Sequence, residues 1–111
     1  MLPKGQRLNT KDVALVFAGK RNTSNTAYFN VITATPGNLE YKKYAVVVSK
    51  KNVPSAVVRN KIRRRVYRGI LKLNISTTPP LAVIVQCNKS STSLGVVEFQ
   101  NELEIVLKKL V

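Results

Sequence analysis

The chain has no histidine, a single cysteine, and no acidic residue between Glu40 and Glu98. Without imidazole, the usual general base and the commonest metal ligand are missing. Cys87 has no partner for an internal disulfide and cannot build a cysteine metal cluster. Its place at the end of an apolar run predicts a buried, inert thiol. Hydrolysis with two metal ions needs several convergent carboxylates. The whole supply is Asp12, Glu40, Glu98, Glu102 and Glu104. Glu98 and Glu102 are four apart, which fits one solvated face of a C-terminal helix far better than a metal site. Hydrolysis by the chain's own side chains is not expected.

Long hydrophobic runs are missing too. Ala45 to Val48 and Leu81 to Val85 are the longest, whereas a membrane-spanning helix needs about 20 apolar residues. Met1 to Gly5 lacks the apolar core of a signal peptide. No membrane partner is expected, and a cytoplasmic location is.

What is present is positive charge on a globular composition. Hydrophobic residues make up 44% of 111 residues, and the net charge is +14. That length suits one domain, with a core too apolar for a disordered basic tail. Seven of the twelve basic residues between Glu40 and Glu98 fall between Arg59 and Lys72. Such a run repels itself unless a partner neutralises it, and a polyanion with regularly spaced charges does so. The composition therefore points to nucleic acid.

Hydrophobic periodicity then places the run. Leu8, Val13, Val16 and Phe17, with Asn9 as cap and Gly19 as stop, predict a short first helix stapled by Leu8 and Val13. Lys20 to Thr26 is polar and reads as a loop. Tyr28 to Thr35 and Tyr44 to Ser49 read as strands, joined as an antiparallel hairpin through the Pro36-Gly37-Asn38 turn. Lys50 to Pro54 connects them to a long helix, with room for a short extended piece. Ser55 is a natural cap for that helix, in which Val58, Ile62, Val66, Ile70 and Leu73 form one apolar stripe. Gly69 inside it costs about 1 kcal/mol relative to alanine, so tertiary contacts must support that turn. Pro79-Pro80 precedes an apolar strand, Leu81 to Cys87, expected inside the sheet. After a loop from Asn88 to Gly95, Phe99, Leu103, Val106, Leu107 and Leu110 mark a final amphipathic helix. The order is α-β-β-(β)-α-β-α, a single-domain α+β sandwich over residues 1–111 with a small mixed sheet.

Three stretches carry a family resemblance. Met1-Leu2-Pro3-Lys4 with Arg7-Leu8, Asp12 and Val16-Phe17 opens the chain. Val48-Ser49-Lys50-Lys51 is followed by Ala56-Val57-Val58-Arg59-Asn60-Lys61-Ile62-Arg63-Arg64. The loop-strand-loop-helix order after it comes at similar spacing. Together these resemble the protein subunit of bacterial ribonuclease P across nearly the whole chain. The resemblance implies a left-handed βαβ crossover and a basic helix that faces the catalytic RNA subunit. It implies a cleft, between the first helix and the sheet, for the single-stranded 5′ leader of precursor tRNA. Chemistry would belong to the RNA and its bound Mg2+, with no cofactor held by side chains and the protein monomeric within the ribonucleoprotein.

On this basis Arg59, Asn60, Lys61, Arg63, Arg64, Arg65 and Arg68 are the expected contacts to catalytic RNA. Asn60 suits either RNA or support of its own helix turn. The leader cleft would draw on Phe17, Tyr28, Phe29, Val31, Lys50 and Lys51. Phe17 fits a core position as well as base stacking. Tyr28 and Phe29 are adjacent in a strand, so they face opposite ways, one inward and one toward a ligand. Tyr67, beside Arg63, is a further stacking candidate. The rivals are a structural ribosomal protein of similar size and charge, and a basic DNA-binding module. The latter lacks helix-turn-helix spacing, since Pro79-Pro80 and a strand follow the basic helix.

Overall fold

A polar edge strand opens the described part of the sheet. The computed structural model describes residues 7, 8, 13, 22–34, 42–73 and 81–108. Strand β1 is Asn22–Asn25, β2 Phe29–Ala34, β3 Lys43–Val47 and β4 Ala82–Cys87. Helix α1 is Ala56–Leu73, and helix α2, Val96–Leu107, follows a 3-10 turn at Lys89–Ser93. Val13 is helical, while the rest of the expected first helix, including Asn9, Phe17 and Gly19, lies outside the described residues. So do the Pro36-Gly37 turn and Leu110.

Three sequence expectations need correction. The polar stretch read as a loop contains β1, which pairs antiparallel with β2 from Asn22 opposite Thr33 to Asn25 opposite Asn30. Thr26 makes the turn: its Oγ1 accepts from the Phe29 N–H at 3.1 Å, and its own N–H reaches the Phe29 carbonyl at 2.8 Å. A hairpin partner overrides the weak strand propensity of Asn, Ser and Thr, and polar side chains suit an exposed edge. The expected hairpin between the second and third strands does not form either. The sheet order is β1-β2-β4-β3, with β4 antiparallel to β2 and parallel to β3. Burial explains the insertion, because Ala82, Val83, Ile84 and Val85 are fully buried and need cover on both faces. The segment between β3 and α1 holds a turn at Lys50–Asn52 instead of an extended piece.

The helices cover one face of this sheet. Ser55 caps α1, accepting from the Val58 N–H at 3.4 Å through Oγ and from the Arg59 N–H at 3.0 Å through its carbonyl. Ile62, Val66 and Ile70 of the apolar stripe are buried, and Val58 and Leu73 are partly so. They meet Phe29, Val31, Val83 and Val85 from the sheet, and Phe99, Leu103, Val106 and Leu107 from α2. Phe29 and Phe99 pack edge to face at 5.2 Å and 84°. On the opposite face Ile32, Ala45, Ala82 and Ile84 form a second cluster, against which Leu8 and Val13 pack. Cys87 is buried, and burial pushes its thiol pKa up to about 12. The inert thiol expected from sequence is what the fold holds.

Gly69 marks the closest approach of the two helices. A methyl group there would meet Leu103 Cδ2 at 2.5 Å and Gln100 Oε1 at 2.7 Å. Gly69→Ala gains about 1 kcal/mol of helix propensity. Overpacking against a fully buried leucine costs about 1–3 kcal/mol, so the clash outweighs the gain. A net loss of about 1 kcal/mol is expected in urea unfolding, and a stabilised variant would show that α1 and α2 separate easily.

Candidate nucleic-acid interface

Helix α1 sorts its cations by the angle at which each leaves the axis. At about 100° per residue, Arg63 and Arg65 project roughly 160° apart, on opposite flanks of the buried stripe. Arg59 falls closest to the stripe and is half-buried. Its Nη1 donates to the Val53 carbonyl at 2.9 Å and to the Pro54 carbonyl at 2.8 Å, tying the connector to the helix. A guanidinium has five N–H donors, so these two bonds do not exhaust it. Asn60 Oδ1 accepts from Arg63 Nη1. That bond orients Arg63, one turn along the same helix.

On the first flank, Asn60, Arg63, Arg64 and Tyr67 line an open groove of about 510 Å³ with Arg7 and Val57. Arg7 comes from the segment before the sheet, held beside β3 by a bridge to Tyr44. The Leu8 N–H donates to the Tyr44 carbonyl at 2.8 Å. The second flank carries Lys61, Arg65, Arg68 and Lys72. Arg65 stands over the Phe99 ring at 5.6 Å, a cation–π contact that fixes its stem. Lys61, Arg64, Arg68 and Lys72 are exposed.

The aromatic candidates separate cleanly. Phe29 and Val31 are 0% and 2% exposed on the helix-covered face, so neither offers a surface to a ligand. The expectation that they line a cleft gives way to a core role, because β2 must cover the apolar side of α2. Tyr28, the alternate neighbour, is half-buried at the core margin, and its carbonyl accepts from the Asn88 N–H at 2.9 Å. Phe17 lies outside the described residues.

Lys50 and Lys51 sit exposed on the turn after β3, which the Ser49 carbonyl closes by accepting from the Val53 N–H at 2.9 Å. Beside that turn, Asn30, Val47, Ser49, Asn52, Gln86 and Asn88 line a polar cleft of about 140 Å³ at the ends of β3 and β4. Asn30, Val47 and Gln86 share the sheet face opposite the helices. Sequence reading missed these three. Strand parity carried the signal for Gln86, the one polar side chain in an otherwise apolar β4.

The described part is thus a small α+β fold whose central crossover helix is cationic on both flanks. A ribonuclease P family model matches residues 2–111. No curated protein sequence matches the chain. Among solved structures, a Staphylococcus aureus RNase P protein, a mutant with defective mRNA degradation activity, is similar at TM-score 0.81 and 25% identity. That alignment covers 96% of this chain and 89% of the other. A second Staphylococcus aureus RNase P protein gives 0.79 at 26% identity, covering 95% and 94%. The RNase P protein of Thermotoga maritima, in complex with 1-(4-fluorophenyl)-2-thiourea, shares the fold at 0.76 and 22% identity, covering 93% and 98%. The chain belongs to the ribonuclease P protein family. It is the protein subunit of a tRNA-processing ribonucleoprotein, partnered by ribonuclease P RNA, and the ribosomal reading is not favoured.

Proposed function

We propose that this subunit holds ribonuclease P RNA on α1 and grips the 5′ leader of precursor tRNA on the far side of the sheet. The bond is then cut by the RNA and its Mg2+. The observation that carries this reading is the cationic helix: Arg63, Arg64, Arg65, Arg68 and Lys72 project outward, and among the described residues no carboxylate lines the grooves beside them. Such a surface neutralises phosphates and positions RNA, but it has no general base to offer. Lys50 and Lys51 beside the Asn30–Gln86 cleft supply charge and amide groups for a single strand. The protein acts as a monomer within the ribonucleoprotein, in the cytoplasm, where precursor tRNA is made.

The test is cleavage of a precursor tRNA by ribonuclease P RNA at limiting Mg2+, with and without the protein. Protein-dependent cleavage is expected, and Lys50→Gln with Lys51→Gln should raise KM for leader-bearing substrate while leaving binding to the RNA subunit intact. Equal cleavage in both reactions would overturn the assignment. A double variant that binds leader normally would move the leader site elsewhere.

A further inference from the structure

The second flank of α1, exposed at Lys61, Arg68 and Lys72, lies beside α2. It forms one wall of a groove of about 270 Å³ whose other wall is α2. Arg65, Arg68 and Lys72 line the α1 side, and Val96, Val97 and Asn101 line the α2 side. Val96 and Val97 are 66% and 72% exposed, an apolar rim set directly opposite three cations. Phe99 and Gln100 form the floor. Gln100 Nε2 is shielded there without any acceptor. No side chain caps the start of α2, where Gly95 is the cap residue. Glu98, in the first turn of α2, is exposed; its Oε1 lies 3.8 Å from where a Cβ of Gly95 would stand, and it is not among the described residues that line the groove.

We propose that this groove is a second RNA site, taking a strand of ribonuclease P RNA separate from the one seated on the Arg63 flank. Helix α1 would then lie between two RNA segments and hold them together. The inference rests on the proposed RNA-binding role and deepens it. Charge complementarity selects the occupant. Three cations, with no carboxylate among the described lining residues, match a phosphate backbone, and the valine rim offers an apolar surface to a ribose or base face. Arg63 and Arg65 leave the axis roughly 160° apart, so the groove beside α2 is set off from the Arg63 flank by the exposed outer face of α1.

The experiment is hydroxyl-radical footprinting of ribonuclease P RNA assembled with the full chain. Four proteins are compared: the unaltered chain, Arg63→Gln with Arg64→Gln, Arg68→Gln with Lys72→Gln, and Val97→Glu. Each arginine or lysine pair should lose protection in a different RNA segment. Val97→Glu, which leaves α1 untouched, should reproduce the loss seen with Arg68→Gln and Lys72→Gln. The salt slope of binding should fall by about 1.5 for each pair. Asn101→Glu serves as a second groove variant should Val97→Glu fail to fold. Loss of the same protections by both pairs, or an unchanged footprint in the folded groove variants, would overturn the second site. An unaltered chain that protects nothing would instead overturn RNA binding itself.

Discussion

Replacing Arg63, Arg64, Arg68 and Lys72 together with glutamine is expected to weaken RNA binding by about three orders of magnitude at 0.1 M salt. The magnitude follows from counterion release. Each phosphate contact contributes about 0.7–0.9 to the slope of log K against log salt, and hence a five- to eightfold factor per tenfold dilution from 1 M. Four contacts multiply to roughly a thousandfold at 0.1 M, and the difference should vanish near 1 M. Stability should change little. Arg64, Arg68 and Lys72 are exposed, and glutamine keeps helix propensity close to that of arginine and lysine. Arg63 is the exception, since its bond to Asn60 is lost, but that bond lies at the surface. Binding titrated from low to high salt checks the result. Parallel lines for the variant and the unaltered chain would mean that the phosphates sit elsewhere.

The second large effect is on the fold. Phe99→Ala should destabilise the protein by about 3–5 kcal/mol, the range for removing a buried phenylalanine. Against a total stability of about 5–15 kcal/mol for a domain of this size, that is a substantial fraction. The reason is position. Phe99 is 1% exposed, packs edge to face with Phe29 and lies under the Arg65 guanidinium. Truncation opens a cavity at the junction of α1, α2 and β2, and the close contact at Gly69 keeps the helices from collapsing into it. Phe99→Leu preserves most of the volume and should cost far less, about 1.5 kcal/mol or below. The midpoints of urea unfolding for the two variants report the difference. Equal midpoints would mean that the junction repacks freely.

These two predictions draw on different levels of information. The cationic run, its Ser55 cap and the stripe from Val58 to Leu73 were legible because charge and helical period are local properties. Gly69 announced a tertiary contact through its own misfit, although only the structure named Leu103 and Gln100 as the neighbours. The functional class was equally legible, since the signature around Arg59 to Arg64 is contiguous and carries the family resemblance.

Strand pairing was not legible in the same way. Each strand announces its own period, but which strands lie side by side depends on how the most apolar of them is covered. That placed β4 between β2 and β3 and drew the polar Asn22–Asn25 stretch into the sheet as its edge. The site followed the same division. Sequence listed the cations of α1, yet their roles were set by what the fold put beside them. Backbone carbonyls hold Arg59, Asn60 holds Arg63, and the Phe99 ring lies under Arg65. It also placed Tyr28 and Phe29 on opposite sides without saying which was inward, and packing against Phe99 chose Phe29. By itself the sequence determined a basic amphipathic helix on a globular α+β core, and hence a binder of nucleic acid, with the family resemblance naming RNA. Only the tertiary structure decided the sheet order and the groove between α1 and α2, because both come from burial shared among residues far apart in the chain.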